Sequence, residues 1–470
     1  MNKHFSFLAI LFLLFLIPII IFFSTDTKKY ISKAANRKAN IIIDTKKIIG
    51  PLPYNWKALA QGGEEQGVRM LENVILPLAV LAPRYIRIDH IYDFYNVVGR
   101  DNNNQLIFNW DQLDQTVCDI YRTGAKPFFS LGYMPKELSD DGSLIGAPKN
   151  WDEWAFLVQK TIERYSGKST RLCGQVTGEF LKDIYYEVWN EPDLESFGKW
   201  SLYGGKKDYK LLYFYSSFGA LNATDVSHFF LGGPATTAAY KNWMQKFLKF
   251  VRDNNLKLDF LSWHHYTKNP VDFSEDLINL NNWLAEDEFK QFRTLPKIIS
   301  EWGYDSMPNP ISDTDIGAAH TIVSIRNLIE QKLEMAFSFE VKDGPIPRWG
   351  ILSYSGEKKP RYQALNLLNL LERYRLQVEG EGTFVKVIAG GWQNRIGAIL
   401  VNYDKENKNT ELVPLKFINL DPGEYTATLF NLAGEISQEE IVINREFEKN
   451  IFMVPNTIKA LLVEKKRNSP

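Results

Sequence analysis

The sequence predicts an α/β chain: a (β/α)8 TIM barrel followed by a C-terminal β-sandwich, with a hydrophobic membrane segment ahead of both. Three observations predict it. After residue 40, short apolar runs of strand character alternate with longer amphipathic stretches, the pattern of a parallel sheet wrapped by helices. Beyond about Arg375 that alternation stops, and short runs of period two take over, separated by turn signals such as Asp421-Pro422-Gly423 and Ala433-Gly434. Ahead of both, residues 5–23 carry no charge and are long enough to span a bilayer. A chain of 470 residues also exceeds what one compact core usually serves. The division expected is residues 1–39 for the segment and its linker, 40–374 for the barrel and 375–470 for the sandwich, which 40–47 can join as an extra strand.

Eight strand candidates follow in order: 50–56, 84–90, 126–131, 184–189, 229–233, 260–266, 296–301 and 334–339. The first is the weakest. Helical periodicity fills the intervals at 110–123, 151–165, 209–224, 240–254 and 316–331. The C-terminal strands are expected at 383–388, 395–403, 412–418, 423–431, 436–443 and 459–464. No internal repeat or low-complexity tract interrupts the series.

The N-terminal stretch has Lys3 before it and Lys28 and Lys29 after it. Its exit, Phe22-Phe23-Ser24-Thr25-Asp26, offers no small-x-small cleavage site, so an uncleaved anchor is favoured over a signal peptide. The lysines and arginines that follow argue against export by the positive-inside rule, yet large domains translocate largely regardless of local charge. The expectation is a membrane-anchored protein with an extracytoplasmic catalytic domain, or a secreted one if the segment is removed.

Net charge of -1 gives no electrostatic footprint for a polyanion, so nucleic acid is excluded as a partner. Two cysteines, Cys118 and Cys173, lie far apart with no metal-type spacing; neither a zinc site nor a disulfide scaffold is expected, and Cys118 reads as a small buried apolar residue. No His/Asp/Glu spacing matches a metal ligand set, so no metal or other cofactor is expected. The aromatic share of 14% is high, and suits sugar binding, because a pyranose ring packs its C–H face on an aromatic ring.

In a barrel of this kind chemistry collects at the C-terminal ends of the strands. Two carboxylates end apolar runs: Glu191, after Ile184-Tyr185-Tyr186-Glu187-Val188-Trp189-Asn190, and Glu301, after Pro296-Lys297-Ile298-Ile299-Ser300. Glycoside hydrolysis needs such a pair, one group to protonate the leaving oxygen and one to capture the anomeric carbon. A spacing of about 5 to 5.5 Å would retain configuration, whereas about 6.5 to 9.5 Å would leave room for a water and invert it.

Trp189-Asn190-Glu191-Pro192 and Ser300-Glu301-Trp302-Gly303 resemble the strand-four and strand-seven motifs of the retaining clan of TIM-barrel glycosidases. Further stretches resemble glycoside hydrolase family 39 in order: Phe108-Asn109-Trp110, Lys126-Pro127-Phe128, Leu131-Gly132-Tyr133-Met134-Pro135, Leu231-Gly232-Gly233-Pro234-Ala235 and Asp259-Phe260-Leu261-Ser262-Trp263-His264-His265-Tyr266. That family holds β-xylosidases and α-L-iduronidases, and also places a sandwich at the C-terminus. The resemblance implies Glu191 as general acid/base and Glu301 as nucleophile. It further implies Tyr266 as a donor to Glu301, Asn190 as a partner of the sugar 2-hydroxyl and Arg87 as the cationic partner of the nucleophile. His264 shares a strand face with Tyr266 and joins the substrate-binding candidates, as do Trp302 and Trp349. His90 and His265 have the opposite parity and are expected to turn away.

Two positions depart from the family pattern. Where family 39 xylosidases usually show Arg-x-His on strand two, this chain has Arg87-Ile88-Asp89; strand eight reads Ala336-Phe337-Ser338-Phe339-Glu340 in place of the clan's usual Trp. A phenylalanine or Trp349 would then supply any sugar platform. The expected partner is an oligosaccharide or glycoside. The competing readings are a catalytically silent carbohydrate-binding or envelope protein on the same scaffold, and an enzyme acting endo or by transglycosylation.

Overall fold

The computed structural model describes residues 37–62, 65–176, 180–347 and 349–466. The expected membrane segment at 5–23 lies outside the described residues, and among the described residues no helix is long and apolar enough to cross a membrane. Eight parallel strands close into a barrel: Ala58–Gln61, Tyr85–Ile88, Lys126–Leu131, Ile184–Val188, Phe229–Thr236, Phe260–Tyr266, Lys297–Gly303 and Met335–Phe339. Closure is made by Phe337 opposite Ala58 in the pairing of strands eight and one. Strand one is not at 50–56 as expected. Gly50 and Pro51 end a different strand, Ile41–Pro51, which pairs outside the barrel, and the barrel begins seven residues further on with the small residues of Ala58-Leu59-Ala60.

The five expected helices form, at Asp111–Arg122, Trp151–Ser166, Tyr209–Asn222, Lys241–Asp253 and Asp315–Glu330. Their starts have visible causes: the Asn150 and Asp208 side chains accept from the backbone N–H two residues on, filling donors the first turn leaves open. Three shorter or less periodic helices, Ile75–Leu81, Asp272–Leu284 and Pro360–Leu367, were not evident from the pattern. Trp151–Ser166 and Tyr209–Asn222 approach so closely that a Cβ on Gly219 would sit 2.1 Å from the Ala155 carbonyl oxygen.

The barrel interior is layered. Ala58, Ala60, Tyr85, Phe128, Tyr185, Phe260, Ile298, Met335 and Phe337 form an apolar plug. One strand-period further toward the mouth lie Arg87, Ser130, Glu187, Ser262 and Ser300, all buried. Three serines in that layer leave the volume that the Arg87 guanidinium and the Glu187 carboxylate occupy. Strand seven carries a bulge: Trp263 pairs with Ile299, but His264 pairs with Glu301. The extra residue breaks the two-residue alternation, so Glu301 turns inward although Ile299 packs outside with the helices.

The C-terminal region is all-β, but as one continuous nine-stranded sheet rather than two. Its order is Gly434–Ile443, Gly423–Asn431, Thr457–Lys465, Arg395–Asn402, Val385–Trp392, Tyr374–Glu379, Ile41–Pro51, Glu411–Ile418 and Phe447–Met453. The Asn402 amide donates to the Met453 and Val454 carbonyls, five places along in that order, so the sheet folds over on itself around a core that includes Ile41, Leu400, Leu415 and Val463. Its outer residues Ile388, Ile399, Val401 and Ile458 belong to the barrel's own core, which fuses the two regions.

Cys118 and Cys173 form a disulfide, correcting the reading of Cys118 as a lone apolar residue. Cys118 lies on the helix Asp111–Arg122 and Cys173 in the turn between the two short strands Arg171–Leu172 and Gln175–Val176. A separation of 55 residues with no repeating cysteine pattern carries no signal of pairing.

Candidate active site

The carboxylates expected from the sequence meet at the C-terminal mouth of the barrel. Glu191 follows strand four, where Trp189 and Glu191 both take positive φ, 70° and 43°, and the Glu191 N–H donates to the Ala235 carbonyl at 2.9 Å. This tight turn swings Asn190 and Glu191 over the barrel axis. Glu301 comes from the bulge in strand seven and is 7% exposed. One oxygen of Glu191, one of Glu301 and a ring nitrogen of His264 all lie within 4.8 Å of one another.

Each partner has a geometric reason. Arg87, on strand two, is buried and donates three ways: Nε to Glu187 at 2.8 Å, Nη1 to Glu301 Oε1 at 2.7 Å and Nη2 to Asn190 Oδ1 at 2.7 Å. Tyr266 Oη donates to the other Glu301 oxygen at 2.8 Å. His264 Nδ1 lies 2.9 Å from Glu191 Oε1 and 3.4 Å from Glu301 Oε2. Asn190 Nδ2 donates to Tyr133 Oη at 2.8 Å.

Burial raises the Glu301 carboxyl above the usual range, against the pull of His264 and Arg87, with the Glu191 and Asp89 charges adding to the rise. Burial works against a charged His264, but the Glu301 and Glu191 carboxylates outweigh it and raise the imidazole above 6.5. Two carboxylates this close resist simultaneous ionisation, so the cluster tends to hold a proton. Glu191, His264 and Glu301 are near enough to share a metal ion, yet both Glu301 oxygens already accept bonds and an added cation would face Arg87. A shared proton suits this donor set better.

The structure brings together Glu191, Glu301, Asn190, Arg87, His264 and Tyr266. It does not bring Trp302, which is 1% exposed and packs edge-on to Phe273 in the layer outside the barrel. The bulge that turns Glu301 inward necessarily turns the next residue out. Trp349 lies half-buried beside the mouth, its ring 5.5 Å from Phe339, whose ring in turn lies 6.3 Å from Tyr266. His265 turns away, toward Asp276. His90 does not: its φ of 52° folds its ring onto Tyr133, 4.4 Å away, at the mouth.

Glu187, Tyr133 and the wholly buried Glu340 were not singled out by the sequence reading. Glu187 was findable, since it shares strand parity with the inward Tyr185, and a carboxylate inside an apolar strand demands a cation.

Comparison with known proteins agrees with this architecture. The chain is 27% identical over 363 residues to a β-xylosidase of Caldicellulosiruptor saccharolyticus, covering 70% of this chain and 69% of that one. It is 24% identical over 415 residues to a β-xylosidase of Geobacillus stearothermophilus, covering 77% and 78%. The crystal structure of a monomeric β-xylosidase from Caulobacter crescentus CB15 superposes with a TM-score of 0.73 at 18% identity, over 91% of this chain and 99% of that one, a likeness of fold. A family model described as Glycosyl hydrolases family 39 matches residues 71–411, well over half the chain. With the barrel, the paired glutamates and this match in agreement, the chain belongs to glycosyl hydrolase family 39 and is a glycosidase.

Proposed function

We propose that the chain is a retaining glycosidase that cleaves β-xyloside-like substrates by double displacement. The observation that carries this reading is the approach of Glu191 and Glu301 to within 4.8 Å, too close for a water to attack between them and the sugar. In the first step the Glu301 carboxylate attacks the anomeric carbon while Glu191 gives its proton to the leaving oxygen; the glycosidic C–O bond breaks and a glycosyl ester forms on Glu301. In the second step Glu191 takes a proton from water, whose oxygen attacks the same carbon and releases Glu301. Both Glu301 oxygens accept hydrogen bonds, from Arg87 and Tyr266, as suits the nucleophile of the pair. Arg87 and Tyr266 hold Glu301 in line, and Asn190, fixed by Arg87 and Tyr133, is the partner for a 2-hydroxyl that binds more tightly as positive charge develops. Phe339, at the end of strand eight, and Trp349, on the loop after it, offer an aromatic face in place of the clan's usual Trp.

The substrate class rests on the β-xylosidases among the relatives. A panel of aryl glycosides tests it: wild type is expected to release the aryl group fastest from the β-xyloside, and Glu191→Ala and Glu301→Ala to lose that release. A wild type that binds glycans yet cleaves no member of the panel would favour the silent-scaffold reading instead. We infer also that the domain works outside the cytoplasm, on two supports: the apolar segment at 5–23 and the Cys118–Cys173 disulfide, a bond that persists in oxidising compartments. Cell fractionation with a membrane-impermeant biotinylation reagent tests this, and protection of the intact cell's protein from labelling would overturn it.

A further inference from the structure

Of the 12 tryptophans in the chain, Trp392 is the one that stands exposed, at 37%. It ends the strand Val385–Trp392 of the C-terminal sheet, at the tight turn Gln393-Asn394 that leads into Arg395–Asn402. By itself a single exposed apolar side chain signifies little. This one is held in place and borders a cavity. Tyr374 packs on the indole at 5.2 Å with 47° between planes, and the Arg373 guanidinium lies 5.5 Å from its centre. The cavity, of about 200 Å3, is lined among others by Thr45, Lys46, Gln393, Asn394 and Asp421.

It is separate from the catalytic mouth. The opposite end of the same hairpin touches the loop after strand six, where Tyr403 donates its hydroxyl to the Lys268 carbonyl at 3.0 Å. Trp392 lies a full strand of eight residues away from that contact, about 24 Å at the usual rise. No residue of the lining takes part in the chemistry assigned to Glu191 and Glu301.

The lining suits a neutral carbohydrate. Trp392 supplies a flat apolar face on which the C–H side of a sugar ring packs. Gln393 and Asn394 are exposed on the turn, and each amide carries donors and an acceptor for hydroxyls. Lys46 pairs with Asp421 at 2.8 Å, so the two charges in the lining cancel and select no ion. The volume is below the roughly 300–1,000 Å3 of sites that enclose a whole small molecule, as fits a platform touching one or two units of a longer chain.

We propose that the turn at Trp392 is a docking platform for a neutral polysaccharide, which holds the enzyme on a polymer while the barrel acts elsewhere on it. The choice of xylan as that polymer rests on the β-xyloside reading given above. Retention raises the local concentration of polymer around the mouth without any new contact to the reacting sugar.

Adsorption of the full chain carrying Glu301→Gln to insoluble xylan, in mild detergent, measures the platform without hydrolysis. Affinity is expected to fall about tenfold when Trp392→Ala is added, and to fall also with Gln393→Ala/Asn394→Ala, which changes only exposed side chains. Because the lining is neutral, retention should be equal at about 0.05 and 0.5 M salt, whereas attraction through Lys46 or Arg373 would fade. In the wild-type background, Trp392→Ala should leave kcat/KM on an aryl β-xyloside unchanged. Four results overturn the platform: no adsorption, adsorption that survives both alanine variants, adsorption that fades with salt, or lost aryl-xyloside turnover in a folded Trp392→Ala. The turn variant decides where Trp392→Ala misfolds. A wild type that adsorbs but cleaves no aryl xyloside contradicts the catalytic reading alone; one that cleaves but does not adsorb contradicts the platform alone.

Discussion

Replacing Arg87 with methionine removes the one cation that two buried carboxylates share. Glu187 is fully buried, and its Oε1 already has no hydrogen-bond partner among the described residues, so Oε2 depends on Arg87 Nε at 2.8 Å. Glu301 loses the Nη1 bond at 2.7 Å and keeps only Tyr266 and His264 as favourable neighbours. Breaking a buried ion pair by deleting one partner costs about 3–5 kcal/mol, because the surviving charge has neither water nor counter-ion. The same group sets the sign of a pH effect. Burial already raises the Glu301 carboxyl above its ordinary value of 4.5, and removing Arg87, which pulls it down, raises it further, so the folded state prefers the protonated form. The deficit is therefore absent below the unfolded value and grows as pH rises through the folded one. Urea denaturation followed by tryptophan fluorescence at about pH 4 and pH 7 reads it; the wild-type-to-variant gap should be small at the lower pH and about 3–5 kcal/mol at the higher. Arg87→Met/Glu187→Met should recover part of the loss, since it leaves one orphaned carboxylate instead of two. A single variant within about 1 kcal/mol of wild type at pH 7, with no pH dependence, would refute the reasoning.

Tyr266→Phe deletes one hydrogen bond to an ionised group, worth about 1.5–3 kcal/mol, and is expected to lower kcat/KM on an aryl xyloside by about one to two orders of magnitude with the fold intact by circular dichroism. Gly219→Ala raises helix propensity by about 1 kcal/mol yet drives a methyl into the Ala155 carbonyl, so thermal unfolding should show net loss; a net gain would mean the helices part freely. Cys118→Ser with Cys173→Ser opens a loop of 55 residues and is expected to lower stability by about 4 kcal/mol in the chain-entropy account, measured by urea unfolding against the oxidised wild type.

What could be read in advance follows from where the physical signal lies. Glu191 and Glu301 end apolar runs, and a charge at the end of a buried strand stands out in one dimension. Arg87 stands out for the same reason. The orientation of Glu301 was not legible, because simple alternation from Ile299 points it at the helices and only the bulge reverses it. Trp302 was misplaced by that same residue, while Trp349 stayed at the mouth because it lies on a loop and follows no strand period. Strand one was misread because Ile48 to Pro51 continue an apolar, β-favouring run whose partner, Tyr374–Glu379, lies more than 320 residues away. The Cys118–Cys173 bond and the contact of Tyr133 with Asn190 share that character: each joins loops or helices that only the closed barrel brings together. His90 depended on a left-handed backbone, which a histidine rarely adopts and no local pattern announces.

The central claim is that Glu301 becomes covalently bonded to sugar while Glu191 moves the proton. Incubation with a 2-deoxy-2-fluoro xyloside carrying a good leaving group, followed by peptide mass mapping, tests it directly, because the fluorine slows the second step more than the first. The account predicts one added fluoro-xylosyl mass per chain, on the peptide containing Glu301, and its absence in Glu301→Gln. Turnover of the unmodified xyloside with inversion at the anomeric carbon, or a label on Glu187 or Glu191 instead, would contradict it.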